Sequence, residues 1–201
     1  MQIEIGKASV LDVYQFVTGL VTPRPIAWVT TRSAQGAINL APFSFYNAFG
    51  ANPPVVVFSP TLRRDGTKKD TLRNIERDGE FVINASVERY LEAINLSSRE
   101  LPPEESELEL VGLSAESSML VAPPRVAGTP FAFECRLRQL LPIGDGPISA
   151  NLVIGDVVSI YVDESILDDK RRPDPRKVQA VARLGGEYWC RTSDLFQLPR
   201  P

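Results

Sequence analysis

Residues 25–60 read PIAWVTTRSAQGAINLAPFSFYNAFGANPPVVVFSP, and this stretch decides the fold class. Ile26 to Thr31, Ala37 to Phe45 and Val55 to Ser59 are rich in β-branched and aromatic residues and are divided by breakers, so three strands are expected. Arg32 to Gly36 is a polar loop ending in glycine, which suits a hairpin between the first two. Val55-Val56-Val57-Phe58 is a continuous apolar run, the pattern of a strand covered on both faces.

Downstream, a helix is expected at about Asp70 to Arg77 with Asp70 as N-cap, then a buried strand Phe81 to Asn84 and a helix Val87 to Ser98. Pro102-Pro103 and the acidic run Glu104 to Glu107 read as a solvated loop. Phe131 to Leu141 and Asn151 to Val162 are long strand candidates around a Pro142 to Pro147 turn, and a short strand follows at Glu187 to Cys190. Many strands with few short helices, not in regular alternation, point to a barrel or sandwich and away from a doubly wound sheet. At 201 residues and 43% hydrophobic the chain suits one domain, 1–201, with a loose tail from about residue 192.

Composition removes several function classes. The chain has no histidine, so imidazole cannot serve as base or ligand, and its two cysteines, Cys135 and Cys190, cannot build a zinc cluster. A formal charge of −3 supplies no basic field for nucleic acid or anionic lipid. The N-terminus, MQIEIGKASVLDVYQF, has no basic stretch followed by an apolar run, and no window is long and apolar enough to span a bilayer. A cytoplasmic location, free thiols, no nucleic-acid partner and no membrane partner are therefore expected.

Neither a GxGxxG after a strand nor a GxxxxGK[ST] is present, so a phosphate would have to be held another way. Thr67-Lys68-Lys69-Asp70-Thr71 places two ammonium groups and a hydroxyl where a helix begins and its first N–H groups lack partners. That is an anion site in outline, or a solvated helix start. Asn39 to Asn47 interrupts a strand with Pro42, which implies an edge or bulge with backbone groups free for a flat ligand, or an ordinary bulged edge over core phenylalanines. Trp28 and Tyr188 have the chemistry to stack on a ring or to fill a core.

Four ordered motifs, Thr22 to Thr31, Asn39 to Phe45, Lys69 to Leu72 with Asn74-Ile75, and Phe81 to Asn84, resemble the flavin reductase-like family of FMN-binding split barrels. The resemblance runs from about Thr22 to Tyr188. Arg183-Leu184-Gly185-Gly186 also resembles the family's late segment, although Glu187 stands where many relatives carry histidine nearby. It implies a mainly β, six-stranded Greek-key split barrel with short peripheral helices, dimerising with FMN near the subunit interface. The phosphate would meet Lys69, Thr71 and the helix start at Asp70, with Ser59 and Thr30 or Thr31 as further hydroxyl donors. The ring would lie along Asn39 to Ser44, near the backbone of Leu40 and Ala41, the Ser44 hydroxyl and Asn47, with Arg183 facing the flavin or the incoming nicotinamide. The implied activity is NAD(P)H-dependent flavin reduction, with a flavin-dependent oxygenase as a possible partner. A non-catalytic FMN carrier or electron-transfer module on the same fold and a cofactor-free structural barrel are the alternatives.

Overall fold

The computed structural model describes all residues 1–201. Its centre is a seven-stranded antiparallel sheet in the order β2-β1-β5-β8-β9-β4-β3. The strands are β1 (Ala27–Arg32), β2 (Ile38–Phe43), β3 (Tyr46–Ala51), β4 (Pro54–Phe58), β5 (Glu80–Asn84), β8 (Phe131–Ile143) and β9 (Ala150–Val162). Two small ladders flank it, β6 (Ala115–Glu116) with β7 (Arg125–Val126) and β10 (Val181–Arg183) with β11 (Trp189–Arg191). The helices are α1 (Val10–Leu20), α2 (Asp70–Asp78), α3 (Leu91–Leu96), α4 (Glu107–Leu110) and α5 (Pro175–Val178).

β2 and β3 are opposite edges of the sheet, yet only Ser44 and Phe45 join them. A two-residue link spans so little distance that the sheet must curl until its edges meet at that corner. No ladder joins β2 to β3, so the sheet remains split, and the expectation of six strands is corrected to seven. The missed strand is β3, whose Tyr-Asn-Ala-Phe-Gly-Ala sequence carries little β-branched character; it is fixed by pairing with β4, with a bulge between Ala48 and Gly50.

Inside the curl, Ala27, Val29, Phe43, Val56, Phe58, Phe81, Ile83, Cys135 and Val153 pack with Leu72 and Ile75 of α2. Outside it, Ile26, Trp28 and Leu40 pack with Ile94 of α3, Leu108 of α4, Val126 and Val181. β1 is therefore buried along both faces, as is β5. β4, expected to be covered on both faces, instead alternates: Val56 and Phe58 are buried while Val55 and Val57 are half-exposed. Gly155 on β9 lets the Phe81 ring approach, since a Cβ there would overlap that ring.

Three local expectations are corrected. The N-cap of α2 is Lys69, with extended backbone, and Asp70 is the first helical residue. The Val87 to Ser98 helix is a 3-10 turn (Glu88–Tyr90) followed by α3. Glu107 is buried, because Leu108 beside it enters the outer core and carries α4 onto β2. Beyond Arg191 the chain has no regular secondary structure, and Phe196 and Leu198 are exposed. No helix is long and apolar enough to cross a membrane.

Candidate functional site

The free side of β2 is defined by its pairing register. Ala27, Val29 and Thr31 face Phe43, Ala41 and Asn39, and Ser33 N–H donates to the Ala37 carbonyl in the same phase. Odd-numbered residues of β2 thus turn their backbone groups to β1 and even-numbered ones turn outward. The outward Ile38 carbonyl accepts from Ser106 Oγ at 2.7 Å, and the outward Leu40 N–H donates to Glu107 Oε2 at 3.0 Å. Pro42, next in phase, has no N–H. From Asn39 to Phe43 the edge therefore offers no free backbone donor.

Beside this edge lies a narrow cleft of about 70 Å³, where Asn39, Ala41, Pro42 and Phe43 face Lys69, Asp70 and Thr71, with Glu107 in the wall. Sharing Arg63, Lys69 and Glu100 with it is a wider cleft of about 450 Å³, lined also by Leu11, Tyr14, Arg64 and Ile148. Sharing Pro42 and Ser98 on the other side is a third of about 230 Å³, lined by Tyr14, Ser44, Asn95, Arg183 and Trp189. The three form one groove along the β2 edge, and Tyr14 borders both outer clefts.

Lys68 and Lys69 separate sharply. The Lys68 ammonium is tied to Glu76 at 2.7 Å, away from the groove. Lys69 makes no ion pair; its Nζ lies 5.6 Å from the centre of the Phe43 ring, and burial lowers its pKa, with Glu100 opposing and Arg63 adding to the shift. The N–H groups of Asp70 and Thr71, the first two of α2, have no intrachain acceptor. Thr71 Oγ1 accepts from Asn39 Nδ2 at 2.9 Å, so its own O–H remains free to donate. Asp70 is spoken for: its carboxylate pairs with Arg63 at 2.7 Å and also with Arg73.

At the far end, Arg24 is buried without a carboxylate partner. Its guanidinium donates to the Thr18 and Val21 carbonyls at the C-terminal end of α1, to Leu184 O and to Ser44 Oγ. Burial pulls its pKa down from the usual arginine value. Gly19 and Gly185 approach so closely that a Cβ on Gly185 would lie 2.9 Å from Gly19 Cα. These contacts fix the C-terminal half of α1 and leave Leu11 and Tyr14 over the groove. Arg183 stacks 4.7 Å from the Trp189 ring and donates to the Gly186 carbonyl at 2.6 Å.

Of the residues singled out from sequence, Asn39, Ala41, Lys69, Asp70 and Thr71 meet in the narrow cleft, and Ser44 and Arg183 in the adjoining one. Five others line none of these clefts. Thr30 is in the core, donating to Pro124 O at 2.6 Å; Thr31 accepts from Asn74 Nδ2 at 3.0 Å; Ser59 Oγ accepts from Asn151 N–H, tying β4 to β9. Asn47 is exposed on β3, its side chain taken by the next N–H, and Leu40 is fully buried with its N–H on Glu107. Thr30 and Thr31 point to opposite faces of β1, and each is engaged because both faces are covered: one by the segment holding Pro124, the other by Asn74 of α2. Trp28 is core, donating to Ser97 Oγ, and Tyr188 is exposed. Sequence reasoning passed over Arg63, Arg64, Tyr14 and Glu107. The Arg63-Arg64-Asp65-Gly66 turn ahead of the lysines was the available signal for the first two; nothing local marks Glu107.

Residues 19–175 match the family described as flavin reductase like domain. A protein of Halalkalibacterium halodurans is 40% identical over 203 residues, covering 100% of this chain and 97% of its own. The crystal structure of nitrilotriacetate monooxygenase component B from Bacillus cereus is similar with a TM-score of 0.92 at 35% identity, covering 98% of both chains. That of a Pseudomonas fluorescens 2-nitrobenzoate 2-nitroreductase reaches 0.88 at 34% identity, covering 100% of this chain and 96% of the other.

Proposed function

The chain belongs to the flavin reductase-like family, and from that premise we propose that it binds FMN and reduces it with NADH or NADPH. The observation that carries the reading is Lys69, a half-buried ammonium without an ion-pair partner, set beside two unpaired N–H groups at a helix N-terminus. A phosphate dianion is the chemistry that such a group and helix start accept.

The residues fit the cofactor along the groove. Lys69, the Asp70 and Thr71 amides and the Thr71 hydroxyl would hold the phosphate, while Asp70 keeps Arg63 in place beside it. The Pro42 carbonyl would accept from the ring's N–H edge, and Ser44, oriented by Arg24, would donate at the far cleft. Tyr14 and Trp189 wall that cleft, and Arg183 would attract the phosphates of the incoming nucleotide. When bound, flavin supplies the capacity to accept a hydride; the protein's part is position and electrostatics. Similarity to a monooxygenase component B supports a flavin-dependent oxygenase as recipient of the reduced flavin.

A homodimer completes the reading. Val10, Leu11 and Leu20 of α1 and Val21 just after it are exposed, as is Phe49 of β3 at 68%. Tyr14 meets Phe45 edge-on at 6.3 Å, which sets α1 beside the turn into β3, and a second copy would cover these exposed apolar groups.

The test is titration of the protein with FMN, followed by anaerobic mixing with each nucleotide while visible absorbance is recorded. Bleaching by NADH or NADPH is expected. Bound FMN that neither nucleotide bleaches would make the protein a flavin carrier, and no flavin binding would leave a structural barrel.

A further inference from the structure

Glu107 is a carboxyl group that the proposed reaction does not use, and its position is unusual for an acidic residue. It is 7% exposed, and one oxygen accepts the only outward N–H that the β2 edge possesses between Asn39 and Phe43. Its side chain lies in the wall of the narrow cleft that also holds Lys69 and Thr71, and in that of a polar hollow of about 200 Å³ on the other side, formed with Asn74, Arg77 and Pro102. Ser106, its neighbour, fastens the Ile38 carbonyl of the same strand. The pair forms a two-point clamp on the strand whose cleft-facing residues would meet the ring.

We propose that Glu107 is a positioning residue of the flavin site: its carboxyl group clamps β2 through Leu40 and takes up a proton when an anionic flavin enters the cleft. The inference rests on the flavin reading above. A buried carboxylate beside a bound phosphate is two like charges in a site of low dielectric, and the proton is the ready means of relief. The clamp survives protonation, since the carbonyl oxygen of a carboxylic acid still accepts from Leu40 N–H.

The charged neighbours divide. Burial raises the Glu107 pKa, the hydrogen bonds from the Leu40 and Glu107 backbone lower it, and the smaller effects of Asp70 on α2 and of Arg63 oppose each other; the net direction is upward. Lys69, Arg99 and Glu100 share the cleft wall, and Arg73, Arg77 and Glu105 the other hollow. Arg73 and Arg77 are already paired with Asp70 and Asp78, which leaves neither as a dedicated partner for Glu107.

The test is calorimetric titration of the wild type, Glu107→Gln and Glu107→Ala with FMN between pH 5 and 8, in buffers of differing ionisation enthalpy, so that protons taken up are counted. FMN's own phosphate titrates in this range, and the difference between wild type and Glu107→Gln removes its contribution. Glutamine preserves the acceptor for Leu40 N–H. Glu107→Gln is therefore expected to bind FMN with wild-type affinity at pH 5 and about three- to tenfold more tightly than wild type at pH 8, with the extra proton uptake gone. Glu107→Ala, which loses the clamp as well as the charge, is expected to bind about tenfold more weakly than Glu107→Gln at every pH, its folding checked by circular dichroism. Proton uptake and pH slope shared by wild type and Glu107→Gln would overturn the inference while leaving the flavin site standing. Failure of the wild type to bind flavin at any pH would overturn the flavin reading, and this inference with it.

Discussion

The two edges of the sheet are finished in opposite ways. On β2 the chain closes its own edge: Ser106 takes the Ile38 carbonyl, Glu107 takes the Leu40 N–H, and Pro42 has no donor to expose. On β3 residues Asn47 to Ala51 are all exposed, and Phe49 stands out at the bulge. An open edge invites another strand or surface, and proteins normally block it with charge, proline or a covering segment. Here one edge has its outward donor and one carbonyl taken within the chain, and it is the edge along which the proposed flavin would lie. The other stays open, with Phe49 exposed, and it is the edge that the proposed dimer would cover.

The largest expected effect breaks the β3 side. Phe49→Asp puts a charge in the proposed interface, where burying it unpaired is prohibitive, so light scattering is expected to return twice the chain mass for the wild type and the single chain mass for the variant. A dimeric variant would move the interface away from β3.

On the β2 side, Lys69→Ala is expected to weaken FMN binding about tenfold or more, since hydrogen bonds to charged groups contribute about 1.5–3 kcal/mol. Lys68→Ala, whose ammonium is held by Glu76, is expected to change it less than about twofold. Equal losses in the two variants, measured by fluorescence titration, would place the phosphate outside the Lys69 cleft.

Ser106→Ala removes one of the two fasteners of β2 and leaves the Ile38 carbonyl without its partner. A loss of about 1 kcal/mol in urea unfolding is expected, with faster amide exchange in β2 than in β5 as the local signature. Uniform exchange across the sheet would show that the clamp does not act on the edge.

The smallest effect sharpens the comparison by pH. Burial keeps the Glu107 proton in the folded state above the ordinary carboxylate value, so folding binds a proton in that window and stability falls as pH rises through it. Glu107→Gln lacks this term. Its stability relative to wild type is expected to climb from the ordinary carboxylate range toward neutral pH, by under about 1 kcal/mol, and to be flat below it. A relative stability that declines with pH would mean the carboxylate is favourably paired.

Much of this was legible before folding. The hairpin of β1 and β2, the long hairpin of β8 and β9 and the helix after Lys69 follow from local pattern and turn residues to within a few positions. β3 and α1 do not. The first has weak strand character and is held by β4; the second has exposed apolar side chains and is held by Arg24 at its carbonyl end.

Within the site the same boundary appears. The residue types of an anion site and the proline-marked edge are properties of the chain, since short-range pattern dictates where a helix begins and where a strand cannot donate. What tertiary structure decided is direction and partnership. Adjacent lysines diverge because one finds Glu76 and the other the Phe43 ring, and Thr30, Thr31 and Ser59 engage Pro124, Asn74 and Asn151. Glu107 leaves an acidic run to hold Leu40, 67 positions earlier, and no local periodicity can encode a bond across that separation: it exists only once Leu108 has carried α4 into the outer core.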